Sequence, residues 1–106
     1  MEVKNIESVA RFDQKKFVHV PLYVGKRTKA LLLCLGSGQE VPPHSHAGFE
    51  ITLQPLKGKA YLPMPDGTKM LLEPGEFISV DGSTSFNPSN PFPENFEMLI
   101  HLVETN

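Results

Sequence analysis

Apolar and polar positions in this chain alternate over short distances, and no long stretch has the spacing of an amphipathic helix. The short stretches are rich in β-branched, aromatic or alternating apolar residues, and most of them end at Pro or Gly. Pro pre-sets φ for a turn and Gly accepts a positive φ, so both predict tight connections between strands. We therefore predict eight strands, over residues 17–24, 28–35, 39–46, 49–53, 59–64, 69–72, 77–80 and 96–104.

Helix is predicted only as a minor component near the N-terminus. Ile6, Val9 and Ala10 are spaced three and four residues apart, a helical pattern that extends only over residues 5–12. We expect an irregular or helical lead over residues 1–16 and a single β domain over 17–106. Eight short strands in a chain of 106 residues predict an antiparallel β-sandwich or barrel. Small barrels enclose either packed side chains or a pocket for one small ligand.

Composition and charge narrow the class of protein. The net charge is −2 and the basic residues are scattered, which argues against nucleic-acid binding. The apolar run Ala30–Leu35 is far too short to span a membrane, and the N-terminus lacks the apolar core of a signal peptide. The single cysteine, Cys34, excludes a disulfide within the chain and fits a reducing compartment. We expect a soluble cytoplasmic protein that contacts neither nucleic acid nor membrane.

One stretch carries candidate metal chemistry. His44 and His46 are two residues apart, so in a strand they share one face with Cα atoms about 6.7 Å apart. Ala47-Gly48 can turn the chain, and Glu50 can then return a carboxylate to the same side. Two imidazoles and one carboxylate suit Zn, Fe(II), Mn or Ni. The alternative is that two exposed histidines and a surface glutamate fall together by chance.

The same stretch resembles the first sequence motif of the cupins. That motif is Gly, five residues, His-x-His, three or four residues, Glu, six residues and Gly. Here it runs from Gly38 through the two histidines to Glu50 and Gly58, with seven residues instead of six before the last glycine. The resemblance implies a double-stranded β-helix, or jelly-roll, barrel whose interior holds one divalent metal on His44, His46 and Glu50.

The second cupin motif is only half present. It runs Gly, five residues, Pro, one residue, Gly, two residues, His, three residues and Asn. Placed on Gly75, it matches Asn90 but puts Asp81, Ser83 and Phe86 at the Pro, Gly and His positions. Because a phenylalanine cannot donate a lone pair, the motifs supply at most three metal ligands.

Two functional hypotheses follow from the resemblance, and a third is weaker. The first is a metal centre whose open positions take a small organic substrate, as in cupin dioxygenases, isomerases and lyases. The second is a non-enzymatic barrel that binds or senses a small molecule and has a degenerate metal site. The third is a structural subunit with a fully packed interior. Cupin barrels commonly pair through their sheets, which also covers short edge strands, so we expect a homodimer.

Four further residues are candidates for lining a pocket. Phe86 forms either an aromatic wall or part of the core. His101 is either a replacement ligand or a hydrogen-bonded strand histidine. Cys34 either touches a ligand or packs as a small apolar residue. Phe92 is a possible anchor of the Pro-rich loop 87–95, which we expect to lie across one end of the barrel.

Overall fold

The computed structural model describes residues 1–105 and consists of a short N-terminal lead followed by seven strands. The lead contains one helical turn, α1, which Asn5 caps by accepting a hydrogen bond from the backbone N–H of Ser8 at 3.2 Å. The elements in chain order are α1 (Ile6–Val9), β1 (Val18–Val24), β2 (Thr28–Leu35), β3 (Phe49–Lys57), β4 (Ala60–Pro63), β5 (Lys69–Leu72), β6 (Ile78–Asp81) and β7 (Phe96–Glu104). No helix in the described residues is long and apolar enough to cross a membrane.

The strands form two antiparallel layers. Five of them form one sheet in the order β1-β2-β7-β3-β6, and β4 pairs with β5 in the second layer. Single β-bridges extend the second layer with segments 40–44 and 86–89, at Glu40 with Ser89, His44 with Phe86 and Tyr61 with Ser89. The main hydrophobic core lies between the layers and takes side chains from both.

The alternation of side chains along the strands assigns each residue to one face of the large sheet. In β7 the inward residues Phe96, Met98, Ile100 and Leu102 are buried in the main core. A second, smaller cluster lies on the outer face of the same sheet. Its members come from β1, β2, β3 and the lead, and include Val20, Leu32, Cys34, Ile6 and Val9. The lead therefore covers apolar surface that the barrel alone would expose.

The predicted all-β antiparallel barrel is confirmed, with two differences in its strands. The predicted strand over 49–53 is β3, which continues to Lys57, four residues past the predicted end. Pro55 is buried in its ladder beside a β-bulge, where a missing N–H is tolerated. The predicted strand over 39–46 is wrong as a continuous strand, since it makes only single bridges at Glu40 and His44. Pro42 and Pro43 lie between those bridges and have no N–H to donate to a ladder.

Candidate functional site

A cavity of about 730 Å³ opens on the inner face of the large sheet. Its inner wall is formed by buried residues such as Leu33, Ile51 and Phe86, and its outer part by exposed ones such as Lys29 and His44. Thirteen of its seventeen lining residues are apolar. The apolar ones are Phe17, Pro21, Val24, Leu31, Leu33, Val41, Pro42, Pro43, Phe49, Ile51, Phe86, Ile100 and Leu102, and the polar ones are His19, Lys29, His44 and His46.

The two motif histidines lie together at this cavity. Their ring centroids are 4.7 Å apart and the rings are nearly perpendicular. Reciprocal backbone hydrogen bonds hold His44 beside Phe86, at 3.2 Å and 2.7 Å, and place the phenyl ring 5.8 Å from the imidazole. The backbone N–H of His46 donates to the carbonyl of Gly82 at 2.7 Å. The segment that carries the histidines is thus fixed by backbone contacts to segment 86–89 of the same layer and to the end of β6.

Hydrogen bonding and charge distinguish the two imidazoles. Nδ1 of His44 lies 3.0 Å from the carbonyl of Pro42. A carbonyl only accepts, so Nδ1 carries the proton and Nε2 is left for another partner. Burial lowers the pKa of His46, and the charges of His44 and Lys29 lower it further. His46 is therefore neutral over a wider pH range than an ordinary histidine.

Glu50 does not join the histidines, contrary to our expectation. The backbone N–H of Phe49 donates to the carbonyl of His46 at 3.1 Å, and this turn directs Phe49 into the cavity. Because side chains alternate along β3, Ile51 also points inward. Glu50 is exposed and faces the other side of the sheet, where it lines a shallow surface with Thr52 and Asp81.

The spacing of the first motif contains the signal for this difference. If four residues instead of three separate His46 from the ligand position, that position falls on Ile51. Six residues then separate Ile51 from Gly58, as the motif requires. Gly58 is a fixed point because its φ is +73° and a Cβ there would lie 2.2 Å from the carbonyl oxygen of Asn95. The extra residue between Glu50 and Gly58 therefore indicated that Ile51 takes the place of the glutamate.

The residues present do not fit the metal site that the resemblance implies. The four motif positions are occupied by His44, His46, Ile51 and Phe86, and only the two imidazoles can donate to a metal. Among residues 1–105, the structure brings no three His, Cys, Asp or Glu side chains together in an arrangement that could hold a metal ion. The donor set is thus two ligands short of a four-ligand cupin centre.

Of the other pocket candidates, His101 and Cys34 lie outside the cavity. His101 belongs to the outer face of β7, where its Nε2 lies 2.6 Å from the hydroxyl of Thr28. Cys34 is fully buried in the outer cluster beneath the lead. Burial raises the pKa of its thiol, which makes it a poor nucleophile. Both residues face away from the cavity because they lie at outward positions of their strands.

No residue of the Pro-rich loop 87–95 lines the cavity, although Phe86, which precedes the loop, does. The Phe92 ring packs on Tyr61 instead, with centroids 5.3 Å apart. Asn90 is buried, and its Nδ2 donates to the carbonyls of Leu35 and Glu94 at 3.0 Å and 2.8 Å. The asparagine of the second motif therefore orders the loop. The list of pocket candidates is corrected to Phe86 alone.

Sequence reasoning did not identify Lys29 and His19 as cavity residues. Lys29 shares the inward face of β2 with Leu31 and Leu33, and His19 points inward from β1. The signal for Lys29 was present, since strict alternation from Leu35 back along β2 puts residue 29 on the core face. Lys29 also belongs to the short basic run over residues 26–29, and such a run is typical of a solvated turn or strand end.

Comparisons with known proteins show which solved structures share this fold. No sequence family and no curated protein sequence matches the chain. A Thermus thermophilus protein of known structure is 22% identical, with a TM-score of 0.90 and coverage of 98% of both chains. An RmlC-like cupin protein from Desulfovibrio desulfuricans is 21% identical, covers 97% of this chain and 96% of its own, and has a TM-score of 0.85.

A third similar structure describes the same architecture in its name. It is an uncharacterised conserved protein with a double-stranded β-helix domain from Klebsiella pneumoniae, 16% identical, with a TM-score of 0.88. The match covers 98% of this chain and 85% of that one. At these identities the likeness concerns the fold and not the chemistry. The chain therefore has the cupin fold, a small double-stranded β-helix barrel.

Proposed function

We propose that this barrel binds a small, largely apolar organic molecule in its interior and does so without a resident metal ion. The observation that carries the proposal is the cavity of about 730 Å³ with thirteen apolar lining residues. Its volume lies in the range of ligand pockets, roughly 300–1,000 Å³. Burial of apolar ligand surface there contributes about 25 cal/mol per Å² removed from water.

Two observations favour this binding function, one over the metal-centred function and one over a purely structural role. Ile51 and Phe86 stand where two cupin metal ligands would stand, and both add apolar wall to the cavity. The open interior also favours binding over a purely structural subunit, for which we expect a packed interior. We therefore assign the barrel to the non-enzymatic binding or sensing class.

A neutral fluorescent probe, N-phenyl-1-naphthylamine, tests the cavity. We expect saturable binding with enhanced emission in the unmodified protein, because the probe moves from water into an apolar site. Leu31→Trp, which fills the cavity from β2, should abolish the signal. Gln54→Trp adds the same side chain at an exposed position of β3 and should leave the signal unchanged. Unfolding transitions of both variants check that they are folded.

Metal analysis of the same preparation tests the other half of the proposal. We expect protein purified without chelator to contain metal far below one ion per chain, and probe binding to survive treatment with a chelator. Stoichiometric metal that is lost in His44→Ala would overturn the metal-free function. Absence of probe binding by a folded, unmodified chain would overturn the binding function itself.

A further inference from the structure

The polar side chains of the cavity are all bases. They are His19, Lys29, His44 and His46, and no Asp or Glu lines the cavity. Lys29 contributes an ammonium group, which only donates, whereas each imidazole can donate and accept hydrogen bonds. A positively charged ligand would meet like charge at Lys29, and a wholly apolar ligand would offer no partner to the ammonium.

Lys29 is positioned to act on a ligand. It lies on the inward face of β2, opposite Val24 of β1 and Leu102 of β7, which also line the cavity. The ion pairs in the described residues involve other lysines, Lys57 with Glu7 and Lys4 with Glu2. The exposed ammonium of Lys29 has no carboxylate within ion-pair distance among residues 1–105, so it can pair with an acidic group of a ligand.

The histidine pair lies at the same end of the cavity. His44 has its Nδ1 occupied by the carbonyl of Pro42, and the ring of His46 lies against it. Lys29 pairs across the ladder with Leu102, which pairs with Ile51 of β3. Phe49, the inward residue before Ile51, lies against the His46 ring with centroids 6.4 Å apart. One ammonium and two imidazoles thus surround the polar end of an otherwise apolar space.

We infer that the natural ligand is an amphipathic monocarboxylic acid, whose carboxylate is held by Lys29 and the histidine pair while its apolar chain or ring fills the cavity. The inference rests on the proposed function and adds the class of ligand to it. One permanent positive charge matches one carboxylate. The apolar wall formed by Leu33, Ile51 and Phe86 matches a hydrocarbon body.

Displacement of bound N-phenyl-1-naphthylamine by two matched competitors tests the inference. Octanoate and octanamide have the same hydrocarbon chain and differ in charge at the head. We expect octanoate to displace the probe at about fivefold lower concentration, the effect of one partly exposed ion pair. The preference should weaken as salt is added, because salt screens exposed charges.

Three lysine variants assign the preference to one residue. Lys29→Met keeps most of the aliphatic stem but removes the charge, and should bind octanoate and octanamide equally. Lys29→Arg keeps the charge and should keep the preference. Lys26→Met removes an exposed lysine from the β1–β2 turn, outside the cavity, and should also keep the preference.

The outcomes separate this inference from the proposed function. If the probe binds but octanoate and octanamide compete equally, or if Lys29→Met keeps the preference, the acid-binding inference is overturned and the apolar-binding function stands. If the folded chain does not bind the probe at all, the proposed function fails first, and the inference fails with it.

Discussion

Two side chains decide which chemistry this barrel can support. Ile51 and Phe86 occupy the positions at which the cupin motifs place a glutamate and a histidine, and both line the cavity. Each replaces a lone-pair donor with hydrocarbon. The barrel therefore keeps the backbone of a cupin metal site but only two of its four ligands. The two remaining imidazoles contribute hydrogen bonding and polarity to the mouth of an apolar space.

Restoring both ligands should create a metal site. In the double variant Ile51→Glu/Phe86→His, four donors converge, and we expect one Zn²⁺ or Ni²⁺ to bind per chain. Without metal the new carboxylate is buried among apolar residues, so the variant should lose roughly 3 kcal/mol of unfolding free energy. A metal concentration 100-fold above the dissociation constant would restore about 2.7 kcal/mol. Calorimetric titration and Tm with and without metal measure both effects.

Two further variants check whether the carboxylate ligand position is residue 51 or Glu50. Phe86→His alone brings three histidines together and should bind metal much more weakly than the double variant. Adding Glu50→Gln to the double variant should change nothing, because Glu50 faces the other side of β3. If Glu50→Gln removed the metal, the assignment of the ligand position to Ile51 would be wrong.

The site could be predicted from the sequence only in part. The convergence of His44 and His46 followed from the two-residue period of an extended chain. The direction of Glu50 did not, because it depends on the tight turn between His46 and Phe49, which sets the phase of β3. Because side chains alternate with a period of two residues along a strand, a shift by one residue assigns every side chain to the wrong face.

At the scale of elements, the chain's turn residues located most strands well. The predicted bounds of β2, β5 and β7 agree with the structure. The errors arose at prolines, whose effect depends on their place in the ladder. The predicted strand over 49–53 stopped short of Pro55, yet this proline lies at a bulge where the ladder is already irregular. Pro42 and Pro43 were included in a predicted strand that they interrupt.

One glycine holds the connection that carries the histidines. The backbone of Gly82 accepts from the N–H of His46 at 2.7 Å and donates to the carbonyl of Phe49 at 3.0 Å. A Cβ at residue 82 would lie 2.2 Å and 2.3 Å from the carbonyl oxygens of the same two residues. No side chain can replace the hydrogen there without moving the backbone.

We expect Gly82→Ala to lower the free energy of unfolding by roughly 2–3 kcal/mol, since the overlap involves backbone atoms that cannot rotate away. It should also weaken probe binding, because the histidine segment must shift. Gly36→Ala is the matched control, because the atoms nearest to its Cβ belong to the side chain of Gln39 at 3.3 Å. Chemical denaturation measures both variants. Equal losses of stability would contradict the role assigned to Gly82.

At the scale of the whole molecule, apolar groups cover the inner face of the large sheet and part of its outer face, and one carboxyl group is enclosed on the outer face. Glu97 is only 6% exposed and lies next to Cys34 and Lys57 across the ladder. Its Oε1 has no hydrogen-bond partner among the described residues. Burial raises the pKa of Glu97, the charge of Glu7 raises it further, and Lys57 partly offsets both.

This carboxyl group should make stability depend on pH. Above its ordinary pKa of 4.5, the folded chain holds a proton on Glu97 that the unfolded chain has released. The free energy of unfolding therefore falls as pH rises from that value to the raised pKa. At higher pH the contribution of Glu97 no longer changes. We expect Glu97→Gln to be more stable than the unmodified protein at pH 7, with the difference shrinking toward pH 4.

Denaturant unfolding at several pH values measures this difference. Glu104→Gln, an exposed position on the same strand, is the control and should show no such trend. A stability difference between Glu97→Gln and the unmodified chain that does not change with pH would contradict the burial cost assigned to Glu97.

Pairing of two barrels stays a prediction. β1 is an edge strand of the large sheet, and Tyr23 and Val24 near its end are 58% and 60% exposed. An edge strand with exposed apolar side chains favours pairing with a second copy. The expected homodimer is therefore compatible with the arrangement of the strands.

The lead is held to the strands by side-chain contacts. Its polar contacts are side-chain bonds, among them Lys57 to Glu7 at 2.6 Å and Lys4 to the carbonyl of Leu22 at 2.5 Å. Within residues 1–105, no hydrogen bond between two backbone groups joins the lead to a strand. The lead can consequently detach while every ladder stays closed, in a partial opening of lower free energy than global unfolding. Such an opening uncovers Cys34, so the rate at which a thiol reagent labels this residue reports how often the lead leaves the sheet.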